Sequence, residues 1–145
     1  MLAASFFTGL FFWTLTILTC GFAALFGGRD GRWFAVVFFA STLLTMPALL
    51  VGSWQKTQLW LAMVDTGLLI ALIWLMLRSS SYWPIWAAAS QLLTVLTHAV
   101  TLLLHNFVDK IYESLSTVWV IPLLLVTLIG IELDRKASHD RAQPA

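Results

Sequence analysis

The sequence predicts an all-α, polytopic transmembrane helical bundle of about five spans. Three observations carry this. The chain of 145 residues is 60% hydrophobic and only 10% charged, where an ordinary soluble domain carries about 25% charged residues. Its mean hydropathy is +0.89. The apolar residues come in runs of about 20, the length that crosses a bilayer, and helices around one soluble core would need polar outer faces that these runs lack. The net charge of +1, with no basic run, gives no ground for nucleic-acid binding. Cys20 is the single cysteine, which excludes an intrachain disulfide and a cysteine-based metal site.

The first expected span is Leu2–Phe26. No Lys or Arg precedes it, so the basic flank of a signal peptide is missing, and Thr19 is a poor residue before Cys20 for lipoprotein cleavage. The stretch therefore reads as a retained helix with Cys20 as a small buried apolar residue. Gly27 to Trp33 reads as a polar turn; without a Gly-Lys-Ser/Thr its glycines do not make a phosphate loop. The second span is Phe34–Val51, with a kink expected at Pro47 and Thr42 or Thr45 satisfying the freed carbonyl. Gly52–Gln58 is the next turn. The third and fourth spans, Leu59–Leu77 and Pro84–Leu104, form a hairpin around Arg78–Trp83. His105–Ser114 reads as a short interfacial helix or an extension of the fourth span. The fifth span is Leu115–Leu133, with a second kink at Pro122, and Asp134–Ala145 is a mobile polar tail. Trp33, Trp54, Trp60, Trp83, Trp86 and Trp119 fall at span ends, where indole favours the headgroup level; Trp13 is mid-span.

Five spans divide the cations unequally. Lys56 and Lys110 lie on one side; Arg29, Arg32, Arg78, Arg135, Lys136 and Arg141 lie on the other. The richer side is expected to be cytoplasmic, with the N-terminus outside and residues 134–145 as a cytoplasmic tail.

Asp65 and His98 are the two strongly ionisable side chains set well inside an apolar span. Folding the hairpin about its loop near position 81 places them at one depth, which makes them a candidate intramembrane polar pair. On the fourth span Gln91, Thr94, His98, Thr101 and His105 repeat at spacings of three and four, a polar stripe within an arc of roughly 80°. Such a stripe faces protein or a wet cavity, since lipid leaves it unsatisfied. Three roles compete: hydrogen bonds that fix helix packing, a proton or ion path with Asp65 and His98 as relay, and a metal, haem or quinone site on His98 and His105. The last two residues stand about 10 Å apart along a helix, too far for one compact metal ion. Asp109 and Glu113, beside His105, read as a solvated loop face with Lys110.

No catalytic constellation is visible, and no metal or cofactor site is expected. The segment Arg78-Ser79-Ser80-Ser81-Tyr82-Trp83-Pro84-Ile85-Trp86 running on to His98, with Val64-Asp65 upstream and Gly27-Gly28-Arg29 earlier, resembles small uncharacterised bacterial inner-membrane proteins over about half the chain. The resemblance implies a multi-pass location in the bacterial inner membrane and the span count, not a mechanism. The expected function is that of a non-catalytic accessory or interaction subunit, in contact with the lipid bilayer and within a homo-oligomer or a larger membrane complex. The alternative is a small oligomeric proton- or solute-coupled transporter using Asp65 and His98.

Overall fold

A computed structural model describes the backbone of residues 2–47, 54–103 and 119–142, and side chains within 10–47, 56–103 and 119–140. Among the described residues there are five helices and no strand: α1 (Leu2–Phe26), α2 (Gly28–Thr45), α3 (Trp54–Arg78), α4 (Trp83–Leu103) and α5 (Val120–Ala142). Two stretches, Lys56–Arg78 and Trp83–Leu103, are long and apolar enough to cross a membrane, and Leu10–Phe26 is a shorter apolar helix. Only 17% and 28% of the two longer apolar windows are buried, whereas a soluble core helix hides most of its apolar surface.

Several borders differ from those expected. The polar turn at Gly27–Trp33 is a single residue, Gly27, and α2 already begins at Gly28. Gly28 has φ +60°, a backbone turn that glycine takes without a Cβ penalty, so the chain reverses there at once. Asp30 then lies in the first helical turn, where the helix dipole favours an acid. Pro47 lies just past α2, which stops at Thr45, where Met46 donates its N–H to the Leu43 carbonyl; the expected kink there involves residues 48–51, outside those described. Pro122 is the third residue of α5, where a helix needs no N–H partner, and the residues leading up to Trp119 lie outside those described. Residues 134–142, expected as a polar tail, continue α5 as its last turns. The interfacial segment at His105–Ser114, the end of the fourth span and the start of the fifth lie outside the described residues.

Consecutive helices pack side by side, and α5 returns to α1, closing a ring of five. Its directions can be read from individual contacts. Ala23 of α1 faces Gly31 of α2 so closely that a Cβ on Gly31 would overlap the Ala23 carbonyl. Small residues are what allow two helices to approach in this way. Between α2 and α3, the hydroxyl of Ser79 donates to Asp30 Oδ2 at 2.6 Å at one end. At the other, Trp60 Nε1 donates to the Leu44 carbonyl at 2.8 Å. The start of α4 meets the later half of α5, where Trp83 lies against Gly130. α1 and α5 run parallel: Arg135 sits 5.0 Å from the ring centre of Phe26, and Ile131 approaches Gly27.

These contacts gather Arg29, Arg32, Arg78, Arg135 and Lys136 at one end of the ring. Just inside that end the interior is apolar. Phe34 stacks on Phe38 at 5.4 Å and meets Trp83 edge-on at 5.6 Å. Leu72, Leu75, Ala87, Leu123, Leu124 and Ile131 complete this packed layer. Trp83, expected at the headgroup level, is thus a core residue, buried between α2, α4 and α5.

Candidate functional site

The sequence pattern on α4 translates into two faces. Gln91, Thr94 and His98 are buried, while Leu92, Leu93 and Leu96 between them and Val100 beyond are exposed. Helical spacing of three and four puts the first set on one side, and that side meets α3. Thr101 is half-buried; His105 lies outside the described residues.

Asp65 and His98 meet. The imidazole Nε2 lies 2.8 Å from Asp65 Oδ2, and with an ionised carboxylate that nitrogen must carry the proton and donate. The second carboxylate oxygen is occupied as well. Gln91 Nε2 donates to Asp65 Oδ1 at 2.9 Å and to the Asp65 backbone carbonyl at 3.2 Å. Gln91 and His98 are seven residues apart, about two turns of one helix face, and Asp65 is gripped by both. His98 is 4% exposed at its side chain and Asp65 21%, so the pair is sheltered on the α4 side and partly open on the α3 side. Thr94 sits between Gln91 and His98 on the same face, its hydroxyl directed at the Ser90 carbonyl at 3.4 Å.

Sequence reasoning placed Gln91 in the stripe but not on Asp65. Depth matching compares backbone levels, and Gln91 reaches its partner through a long side chain from a different level. Other polar residues are buried without any polar pattern in the sequence that marks them as such: Thr16, Thr19, Ser41, Gln58 and Thr127. Ser41 and Thr127 return their hydroxyls to Phe38 and Leu123 carbonyls at 2.8 Å, a local habit of Ser and Thr in helices that gives no tertiary signal. The Thr16 and Thr19 hydroxyls are fully buried with no hydrogen-bond partner among the described residues. Their spacing of three, continued by Ala23, was a small-residue face visible in the sequence.

Chemically, the cluster joins an acid, a base and an amide across two helices. It can lock α3 to α4, or hold and release a proton between a carboxylate and an imidazole. No group of three or more metal-ligating side chains converges among the described residues. The chain matches no family model, no curated protein and no solved structure.

Proposed function

We propose that the protein is a five-span membrane protein of a bacterial inner membrane, N-terminus outside, acting as a non-catalytic accessory or interaction subunit. The observation that carries the reading is the way the polar cluster is used. Asp65, Gln91 and His98 satisfy one another across α3 and α4, and the interior toward the arginine-rich end is filled by Phe34, Leu72, Trp83 and Ile131. A braced centre above a packed layer makes a rigid body rather than a conduit. Its outer surface is apolar on every helix, with Leu25, Val36, Ile70, Leu96 and Ile129 all exposed, which suits lipid and partner helices alike. The test is purification of the tagged protein from native membrane in mild detergent. A stoichiometric second protein supports the reading; a symmetric homo-oligomer around a wet polar lumen overturns it.

A second reading, a proton- or solute-coupled transporter, is favoured by one observation: the acid–base contact of Asp65 and His98, of which Asp65 keeps some exposure. Intramembrane acids and histidines mark proton relays in pumps and transporters. Here proteoliposomes would acidify or alkalinise in a way abolished by His98→Gln with the fold intact.

The topology makes its own prediction. The Gly52–Gln58 turn expected from the sequence is cut short because α3 already begins at Trp54, so the insertion site lies ahead of it: a reporter active only in the cytoplasm should work when fused after Ala145 and fail when inserted between α2 and α3, before Trp54. The reverse pattern would invert the arrangement, and activity at both sites would mean an even number of spans.

A further inference from the structure

The arginine-rich end carries a second constellation, away from the Asp65 cluster. On α2, Arg29, Trp33 and Val37 follow one another at intervals of four, so they share a face. On α3, Arg78, Trp74 and Ala71 do the same at intervals of four and three. The two faces meet: the indoles of Trp33 and Trp74 lie 5.3 Å apart at 57°. The Arg78 guanidinium stacks 4.3 Å from the centre of the Trp74 ring. Below the indoles runs an apolar groove between α2 and α3, walled by Trp33, Val37, Ala71 and Trp74 and floored by Phe34, Leu72 and Leu75. Each helix thus offers an arginine, then a tryptophan, then a strip of groove.

The charges around the mouth are not equivalent. Asp30 is the acid beside Arg29, but its carboxylate already accepts the Ser79 hydroxyl at 2.6 Å. Arg32 turns toward α1, where its Nε donates to the Ala24 carbonyl at 3.4 Å. Arg29 and Arg78 are left flanking the mouth of the groove. A guanidinium that uses its face on an indole keeps its N–H edge for a bidentate anion. Four residues of helix set each arginine about 6 Å beyond its tryptophan, matching indole at the interface and a cation in the phosphate layer just outside it.

We infer that the α2–α3 groove is a binding site for one anionic phospholipid, whose phosphate is held by Arg78 and Arg29 and whose acyl chain lies along Val37 and Ala71. The inference rests on the membrane reading above. The leaflet is the one facing the arginine-rich end, which in that reading is cytoplasmic, and cytoplasmic leaflets attract basic residues through their anionic lipids. The two indoles, packed against each other, supply a flat apolar surface for the glycerol backbone at this level.

The experiment uses the full chain, purified in dodecyl maltoside and stripped of lipid, with thermal unfolding followed as lipid is added. Phosphatidylglycerol is expected to raise the melting temperature and phosphatidylcholine to leave it unchanged. The half-saturating phosphatidylglycerol concentration should rise about fivefold in Arg78→Gln and about thirtyfold in Arg29→Gln/Arg78→Gln. Arg135→Gln/Lys136→Gln, which removes the same charge from the far side of that end, should behave as wild type. If Arg78→Gln does not fold, Arg78→Lys keeps the charge and loses the flat stack, and an intermediate shift is expected. Equal stabilisation by phosphatidylcholine, equal loss in the Arg135/Lys136 variant, or the same shift from inorganic phosphate alone would each overturn the site. A chain released from membranes by alkaline carbonate without detergent would instead overturn the membrane reading, and is told apart before any lipid is added.

Discussion

His98→Leu lowers the stability of the detergent-solubilised protein by about 2–3 kcal/mol, and Asp65→Leu costs a similar amount. The reason is what each change leaves behind. Without His98, the Oδ2 atom of Asp65 loses the donor at 2.8 Å, while the carboxyl stays largely enclosed by two helices. Without Asp65, the imidazole Nε2 loses the carboxylate oxygen at 2.8 Å, and the Gln91 amide keeps only the backbone carbonyl of residue 65. Hydrogen bonds between membrane helices average only about 0.6 kcal/mol, so a cost near that value would mean that the contact is no stronger than an ordinary interhelical hydrogen bond. The double variant Asp65→Leu/His98→Leu removes both members and replaces them with apolar volume. Its loss should fall short of the sum of the singles by on the order of 1–3 kcal/mol. Chemical denaturation of all four proteins measures this coupling, and strict additivity would mean that the contact contributes nothing. Gln91→Leu should be the mildest of the single changes, because Asp65 keeps His98.

The second large effect concerns the packed layer under the arginine-rich end. Gly130→Ala should destabilise by about 1–3 kcal/mol or more. A Cβ there would overlap the Cβ of Trp83, an atom fixed to the backbone that no rotamer change can move away. α5 must therefore shift from α4, and the layer of Trp83, Phe34 and Ile131 opens with it. The controls are in the same protein. A Cβ on Gly21 or Gly67 meets nothing within 4 Å, and both glycines lie inside helices. Gly21→Ala and Gly67→Ala should be neutral or stabilise by up to about 1 kcal/mol through helix propensity alone. Thermal unfolding of the three variants separates a loss of close approach from a general intolerance of substitution; if Gly130→Ala melts with the controls, α4 and α5 are not in tight contact.

How much of this was legible in the sequence depends on the kind of signal. Helix content was legible because runs of apolar residues with few charges have no other economical form. The α3–α4 hairpin was legible because its loop is short and polar, and a short loop fixes the relative depth of everything on its two arms. That argument brings out Asp65 and His98. It fails for Gln91, whose reach belongs to the side chain and not to the backbone level. The α1–α2 turn was drawn too long because Gly27 to Trp33 reads as a polar cluster, yet Arg29, Asp30 and Arg32 can sit on a helix end as readily as in a loop. A proline marks where a helix cannot continue, and among the described residues Pro47 follows the end of α2 and Pro122 lies in the first turn of α5. The α5 extension through residues 134–142 was hidden because its charges suggest solvent, and solvent-exposed helix has the same composition as a polar tail. The closure of α5 on α1 had no local signal, since nothing near Phe26 names Ile131 or Arg135 as its neighbours.

That closure sets an order of events in folding. The α1–α2 and α3–α4 pairs join residues close in sequence and can form as soon as each pair has left the ribosome, since local contacts carry little loop-closure entropy. The seam between α1 and α5 joins Phe26 to Arg135 and Gly27 to Ile131, residues far apart in the sequence, and waits for the last helix to be synthesised. The contact of Trp83 with Gly130 waits for the same helix. A nascent chain stopped before residue 130 therefore holds two hairpins and an open ring, with one side of Trp83 and of α1 still uncovered. The late half of α5 is the fastener, and the interval before it arrives is when the unfinished protein is most open to capture by a chaperone, a protease or another unfinished copy.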